Sequence, residues 1–317
     1  MNSLQTARLQ GAQVFLAPMA GINDPVFRLI CKRMGADLTY SEMISAKGLE
    51  YNNQKTFDLL YVLDEEKPLA VQLFGNDPVA LSEQAKMLEY RYGDALALID
   101  INMGCPARKI ASKGEGAALM KDVRLAGQIL RMVVEAVRLP VSVKFRKGYG
   151  SGEDTAVDFA RLAESCGVAQ LAVHGRYACQ QFHGTSDREL IYRIKQAVSI
   201  PVIASGDVFS RADIQQYITD YHADAVMVAR GALGNPWIFA NRIPALEERV
   251  ATAREHTEVL AALMPHRLPS MRKHIAWYFK GTSHATSIRR AAQACVSLSD
   301  YTRLFDQMLS RQEVLRP

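Results

Sequence analysis

The chain has 317 residues, 49% hydrophobic and 22% charged, which excludes a disordered or fibrous protein. Its 38 Lys+Arg against 33 Asp+Glu leave +5, and the surplus is local: residues 1–237 carry 26 of each sign, residues 238–317 carry 12 basic and 7 acidic. A neutral body with a polyanion-facing tail is the implied layout, and the length admits one large barrel or two domains.

Apolar runs such as Ala95–Ile99 are too short to span a bilayer, and residues 1–13 lack the hydrophobic centre of a signal peptide. Five cysteines (31, 105, 166, 179 and 295) form no Cys-x-x-Cys pair, so a cytoplasmic protein with no zinc site is expected. Eight short apolar runs read as strands: Val14–Ala17, Leu38–Ser41, Ala70–Phe74, Leu98–Asn102, Val141–Lys144, Leu171–His174, Val202–Ser205 and Ala225–Ala229. Most are apolar on consecutive positions, as parallel strands covered on both faces are. Amphipathic stretches separate them. Pro78–Tyr92 follows Asp77 as N-cap, and Asp154–Cys166 stops at Gly167. The expectation is an α/β fold, a (β/α)8 TIM barrel over residues 1–241. A doubly wound sheet is the competitor, but its Gly-x-Gly-x-x-Gly is missing: after Gly114-x-Gly116, Leu119 stands at the third glycine. Beyond Trp237 strand-like runs cease, so residues 242–317 are expected to be helical, the closing barrel helix followed by a small all-helical C-terminal domain.

Barrel chemistry gathers at the C-terminal strand ends. Here these carry Pro18-Met19-Ala20-Gly21, Ser41-Glu42, Gln72, Asn102, Lys144, His174, Ser205-Gly206-Asp207 and Arg230-Gly231. A strand leaving a core must reach polar residues eventually, but eight such ends together favour a shared ligand site. The glycines and Arg230 after the last two strands suit a phosphate; a structural ion pair is the plainer role for Arg230. Lys144 closes a buried strand, where it serves either as a Schiff-base nucleophile or as a cation beside an electron-rich ring. A flavin would account for Lys144, Gln72 and Asn102 together, whereas an aldolase would account only for Lys144. Cys105, between Gly104 and Pro106, lies on a constrained turn, where an S–H group suits a proton donor. Arg108 and Lys109 beside it meet a phosphate or only solvent. Cys31, Cys166 and Cys295 read as buried hydrophobes.

The set Leu16-Ala17-Pro18-Met19-Ala20-Gly21, Asn102-Met103-Gly104-Cys105-Pro106, Val143-Lys144, His174-Gly175-Arg176, Ser205-Gly206-Asp207 and Arg230-Gly231-Ala232 resembles the tRNA-dihydrouridine synthases. Met271-Arg272-Lys273-His274-Ile275-Ala276-Trp277-Tyr278 is similar to their bacterial B type. The resemblance spans about residues 14–285. It implies FMN-dependent, NADPH-driven reduction of the C5=C6 bond of uridines in the D-loop of tRNA. Pro18, Met19 and Ala20 would line FMN, Gln72 and Lys144 its ring edge, with Asn102 orienting flavin or base. His174, Gly206, Asp207, Ala229 and Arg230 would hold its phosphate arm, with Ser205 in place of the more usual Asn. Hydride would reach C6 from reduced flavin while Cys105 protonates C5. The family commonly continues His-Gly-Arg with Thr-Arg; Tyr177-Ala178 stand here, while Gln180 and Gly184 match.

For the tail, Lys273, Trp277 and Lys280 at i, i+4 and i+7 would give a basic stripe with an aromatic between, followed by Arg289 and Arg290. The plain alternative has Trp277 packed inward and the lysines merely solvated. The family binds tRNA through its helical domain, so Arg272, Lys273, Lys280, Arg289 and Arg290 are candidate tRNA contacts, with Arg108, Lys109 and Arg176 at the barrel mouth. Two rival readings are a dihydroorotate-type flavin barrel acting on a free pyrimidine, and a non-catalytic RNA-binding barrel. The basic tail disfavours the first; Lys144, Gln72 and Cys105 would have no purpose in the second.

Overall fold

Eight parallel strands close into a barrel in chain order in the computed structural model, which describes residues 13–313. They are β1 (Gln13–Leu16), β2 (Leu38–Ser45), β3 (Leu69–Phe74), β4 (Leu96–Met103), β5 (Val141–Gly148), β6 (Gln170–Tyr177), β7 (Val202–Ser205) and β8 (Ala225–Val228). All eight expected runs are strands. β2, β5 and β6 continue beyond the apolar stretch because the ladder does: Arg146 still pairs with His174, and Gly148 with Tyr177. β5 also departs from the expected consecutive apolar pattern. Val141, Val143 and Phe145 join the core under the helices, while Ser142, Lys144 and Arg146 alternate with them and face inward. Phe15, Leu38, Tyr40, Ala70, Leu98, Ala172, Ile203 and Met227 fill the barrel interior.

The surrounding helices are α1 (Pro25–Arg33), α2 (Pro78–Tyr92), α3 (Val123–Ala136), α4 (Ala156–Ser165), α5 (Glu189–Lys195) and α6 (Arg211–Thr219). Asp24 and Asp77 cap α1 and α2 through two backbone N–H groups each, ahead of a proline at the first turn. α4 ends before Gly167, which takes φ +85°.

Four helices follow the barrel: α7 (Leu246–Leu263), α8 (Met271–Tyr278), α9 (Ala285–Ala294) and α10 (Leu298–Glu313). They build a second core from Val250, Leu260, Met271, Ile275, Tyr278, Phe279, Tyr301 and Phe305. That core takes in Trp237 and the outer face of α1 through Val26 and Ile30, residues before the expected division at 241/242. α7, in the place of a closing barrel helix, buries Val250, Ala253 and Leu260 there and not against the strands. Among the described residues no helix is long and apolar enough to cross a membrane.

Candidate active site

The C-terminal mouth of the barrel holds a cavity of about 390 Å³, within the range of small-molecule sites. Cys105 and every residue expected to hold the cofactor line it: Pro18, Met19, Ala20, Gln72, Asn102, Lys144, His174, Ser205, Gly206, Asp207, Ala229 and Arg230. Arg146, Met43, Phe182, Phe209 and Leu233, none of them at an expected strand end, join them.

A polar chain fixes the floor. Asp100, buried on β4, accepts from Gln72 Nε2 at 2.6 Å and from the Ser142 hydroxyl. Gln72 Oε1 then accepts from Asn102 Nδ2 at 2.8 Å. Asn102 Oδ1 accepts the backbone N–H groups of Gly104 (3.1 Å) and Cys105 (2.9 Å). A carboxylate can only accept and a backbone N–H can only donate, so both amides are locked in one orientation. Gln72, Asn102 and Lys144 all line the cavity, and Asn102 Nδ2 also lies 4.0 Å from Met43 Sδ. Burial raises Asp100 to about 6, partly offset by Gln72, Ser142 and Lys144. Burial, then Arg146, lowers Lys144 to about 8. Asp100 was legible in principle: it stands two residues before Asn102 in an otherwise apolar run.

Arg146 ties two loops together. Its guanidinium donates to Gly104 O (2.8 Å), beside the cysteine, and to Tyr177 O (3.1 Å) and Gln181 O (2.8 Å) after β6. The Cys105 carbonyl accepts from Ala117 N at 3.0 Å, and a Cβ on Gly116 (φ +60°) would stand 2.8 Å from that oxygen. The Gly114-x-Gly116 segment is thus a support for the cysteine loop. Cys105 is half-buried, Cys31, Cys166 and Cys295 are buried as expected, and Cys179 is exposed.

On the opposite wall, Gly206 adopts φ +120°, and a Cβ there would strike Ser186 Oγ and lie 2.8 Å from His174 Cδ2. Only glycine leaves this backbone open to an anion. Arg230 lies over the exposed rings of Phe182 (5.3 Å) and Phe209 (5.4 Å) and pairs with Asp207 at 2.8 Å. Both roles weighed for Arg230, cavity cation and ion-pair partner, are therefore present together. His174 is buried and held well below its ordinary value by burial and then by Arg146 and Lys144, so the ring is neutral.

Several expected tRNA contacts are placed otherwise. Arg176 is buried and outside the cavity lining: it pairs with Asp207 at 2.6 Å and donates to the carbonyls of His183 and Gly184. Its charge is spent shaping the loop after β6, where Tyr177 N also donates to Gln180 Oε1. Asp207 thus offers no free carboxylate to a phosphate; although burial pushes it up, Arg176 and the Ser186 N–H hold it below its usual range. Arg272 donates to Cys295 O, and Lys273 donates to Gly21 O; both are half-buried. Trp277 is half-buried, edge-on to His274 at 5.5 Å, and is no open stacking platform. Arg242, Arg249, Arg254, Arg267 and Arg303 likewise make ion pairs or carbonyl bonds. Lys280, Arg289 and Arg290 are exposed, as are Arg108 and Lys109 at the mouth.

A dihydrouridine synthase family model matches residues 15–313. The chain belongs to the dihydrouridine synthase family. It is 39% identical over 290 residues to tRNA-dihydrouridine synthase B of Xanthomonas axonopodis pv. citri, covering 87% of this chain and 86% of the relative. It is 38% identical to tRNA-dihydrouridine synthase B of Pseudomonas aeruginosa (87% and 86% covered). It is 36% identical to a probable tRNA-dihydrouridine synthase of Rickettsia conorii (88% of each). Among solved structures, histamine dehydrogenase from Rhizobium sp. 4-9 shares the fold at TM-score 0.54 and 12% identity, over 78% of this chain and 48% of that one. Morphinone reductase does so at TM-score 0.51 and 12% identity, over 71% and 85%. In this dihydrouridine synthase family member the barrel carries the Cys105 loop beside a cavity that Gln72, Asn102 and Lys144 also line.

Proposed function

We propose that this family member reduces the C5=C6 bond of D-loop uridines in tRNA, with FMN bound at the barrel mouth and NADPH as reductant. The observation that carries the reading is the donor set at one side of the cavity: Gln72 and Asn102, oriented from below by Asp100, beside Lys144. Donors alone on that edge match the carbonyl-rich pyrimidine side of a flavin, where negative charge gathers on reduction. When bound, FMN supplies the hydride for C6. Lys144 and Gln72 would hold its ring edge, Pro18, Met19 and Ala20 its face, and the Gly206 backbone with Arg230 its phosphate.

Cys105 Sγ carries the proton that C5 needs. Its turn is held at the backbone N–H by Asn102 and at the carbonyl by Ala117, which leaves the thiol as the group free to reach the base. Arg146 fixes Gly104 and thereby the approach of that thiol. Residues 242–317 would form the tRNA-holding unit, with Lys280, Arg289 and Arg290 as its phosphate contacts and Arg108 and Lys109 beside the site. The test is direct: purified protein should be yellow, and with NADPH it should convert uridine in an unmodified tRNA to dihydrouridine. Conversion of free uracil or orotate in place of tRNA would favour the free-pyrimidine reading.

A further inference from the structure

The turn that lines the cavity after β1 is held from outside the barrel. Met19, Ala20 and Ile22 border the cavity, and the turn closes on Met19 O, which accepts from Ile22 N (3.1 Å) and Asn23 N (3.2 Å). Both polar groups of Gly21 are engaged. Its N–H donates to Glu42 Oε2, and its carbonyl accepts from Lys273 Nζ of α8. Glu42 is buried at a bulge of β2, where the register with β3 shifts after Tyr40, and its second oxygen pairs with Arg267 in the turn before α8. Three residues on, Asp24 meets His256 of α7 at 3.1 Å and His274 of α8 at 3.4 Å, all three at most 1% exposed. His256 is braced in turn by Tyr278 OH at 3.1 Å.

Asp24, His256 and His274 have ligand-type atoms within 4.8 Å of one another. Asp24 Oδ1 already accepts from Val26 N and Phe27 N as the cap of α1, so the group serves to fasten that helix. Residues 21–24 are thus gripped at two points by Glu42–Arg267 and Lys273, and at a third by His256. Apart from Glu42, every gripping group comes from the helical region. His274, next to Lys273 on α8, lies against the same short segment.

We propose that Lys273 and the Glu42–Arg267 pair are positioning residues: they set the cavity-lining turn Pro18–Gly21 in register with the helical region, so that RNA held there and flavin held in the barrel meet at a fixed separation. This rests on the function proposed above. A charge-bearing clasp suits the task because its donors and acceptors fix direction as well as distance, and small misplacements of reacting groups cost up to about 10²-fold in rate.

The experiment uses the FMN-loaded full chain. Lys273→Met keeps the length of the side chain and removes its donor. It should lower kcat on tRNA by about 10- to 100-fold, leave KM and the salt dependence of tRNA binding unchanged, and alter the visible circular dichroism of bound FMN. Lys273→Arg should restore part of kcat, and Arg267→Met and Glu42→Gln should repeat the signature; Arg267→Met carries the test if Lys273→Met does not fold. Weaker tRNA binding with a shallower salt slope and normal kcat would make Lys273 a phosphate contact and overturn the proposal, as would no change in any readout. If the wild-type protein makes no dihydrouridine in tRNA, the functional reading fails on its own; the clasp is then judged by FMN circular dichroism and FMN release rate, and unaltered values would overturn it too.

Discussion

Gln72→Glu is the most informative single substitution in this barrel. It replaces an N–H by an oxygen at constant volume, so no cavity opens. The new oxygen faces Asp100 at the 2.6 Å now spanned by a hydrogen bond. Two ionised carboxylates at that separation repel by about 6 kcal/mol at an effective dielectric of about 20. Turning the side chain over gives no relief, because both ends of a carboxylate are oxygens. The cheaper escape is to keep one proton on the pair. Holding it against a reference carboxyl near 4.3 costs about 5 kcal/mol at pH 8 and about 2 kcal/mol at pH 6. The sign follows: the folded-state value is raised, so stability is retained at low pH and lost as pH rises. Urea unfolding of the flavin-free protein should show the variant losing, relative to wild type, about 1 kcal/mol from pH 6 to 7, where wild-type Asp100 is itself titrating, and about 1.4 kcal/mol from pH 7 to 8. An equal loss at all three values would mean packing damage, and no loss would mean that Gln72 does not face Asp100; either result refutes the locked-chain reasoning.

Lys144 supplies a second pH test. Burial and Arg146 bring it to about 8 in the ligand-free protein, so a ligand that needs the ammonium must load a proton above that value. FMN affinity, read by fluorescence quenching, should be flat below pH 8 and fall by up to about tenfold per pH unit above it; Lys144→Met should bind weakly with no such slope. Lys280, Arg289 and Arg290 changed together to Ala should weaken tRNA binding and reduce the salt slope by up to about 0.9 for each phosphate no longer neutralised. Arg272→Ala should leave that slope unchanged, because its guanidinium is spent on Cys295 O.

The strand ends were legible because barrel geometry converts a chain position, the last residue of an apolar run, into a place in space. Pro18, Gln72, Asn102, Lys144, His174 and Arg230 are distant in sequence yet share one cavity for that reason. Partner choice was not legible. Arg176 and Lys273 look like solvent-facing cations in sequence, and only packing shows that one is buried against Asp207 and the other reaches Gly21 across 252 positions. The charge surplus of the tail has the same lesson. Most of its basic residues brace the helical region or the junction, which leaves Lys280, Arg289 and Arg290 as its exposed cations outside ion pairs among the described residues. Asp100 is hard to read from sequence because a single acid in an apolar strand breaks the pattern that identifies the strand, although that break marks the floor of the site.

The central claim is tested most directly by nucleoside mass analysis of an unmodified tRNA after incubation with NADPH and the FMN-loaded protein, wild type beside Cys105→Ala. The account predicts dihydrouridine with the wild type. The variant, still yellow and still bleached by NADPH, should form it at least about 100-fold more slowly. Wild-type rates from Cys105→Ala, or no dihydrouridine from either protein, would contradict it.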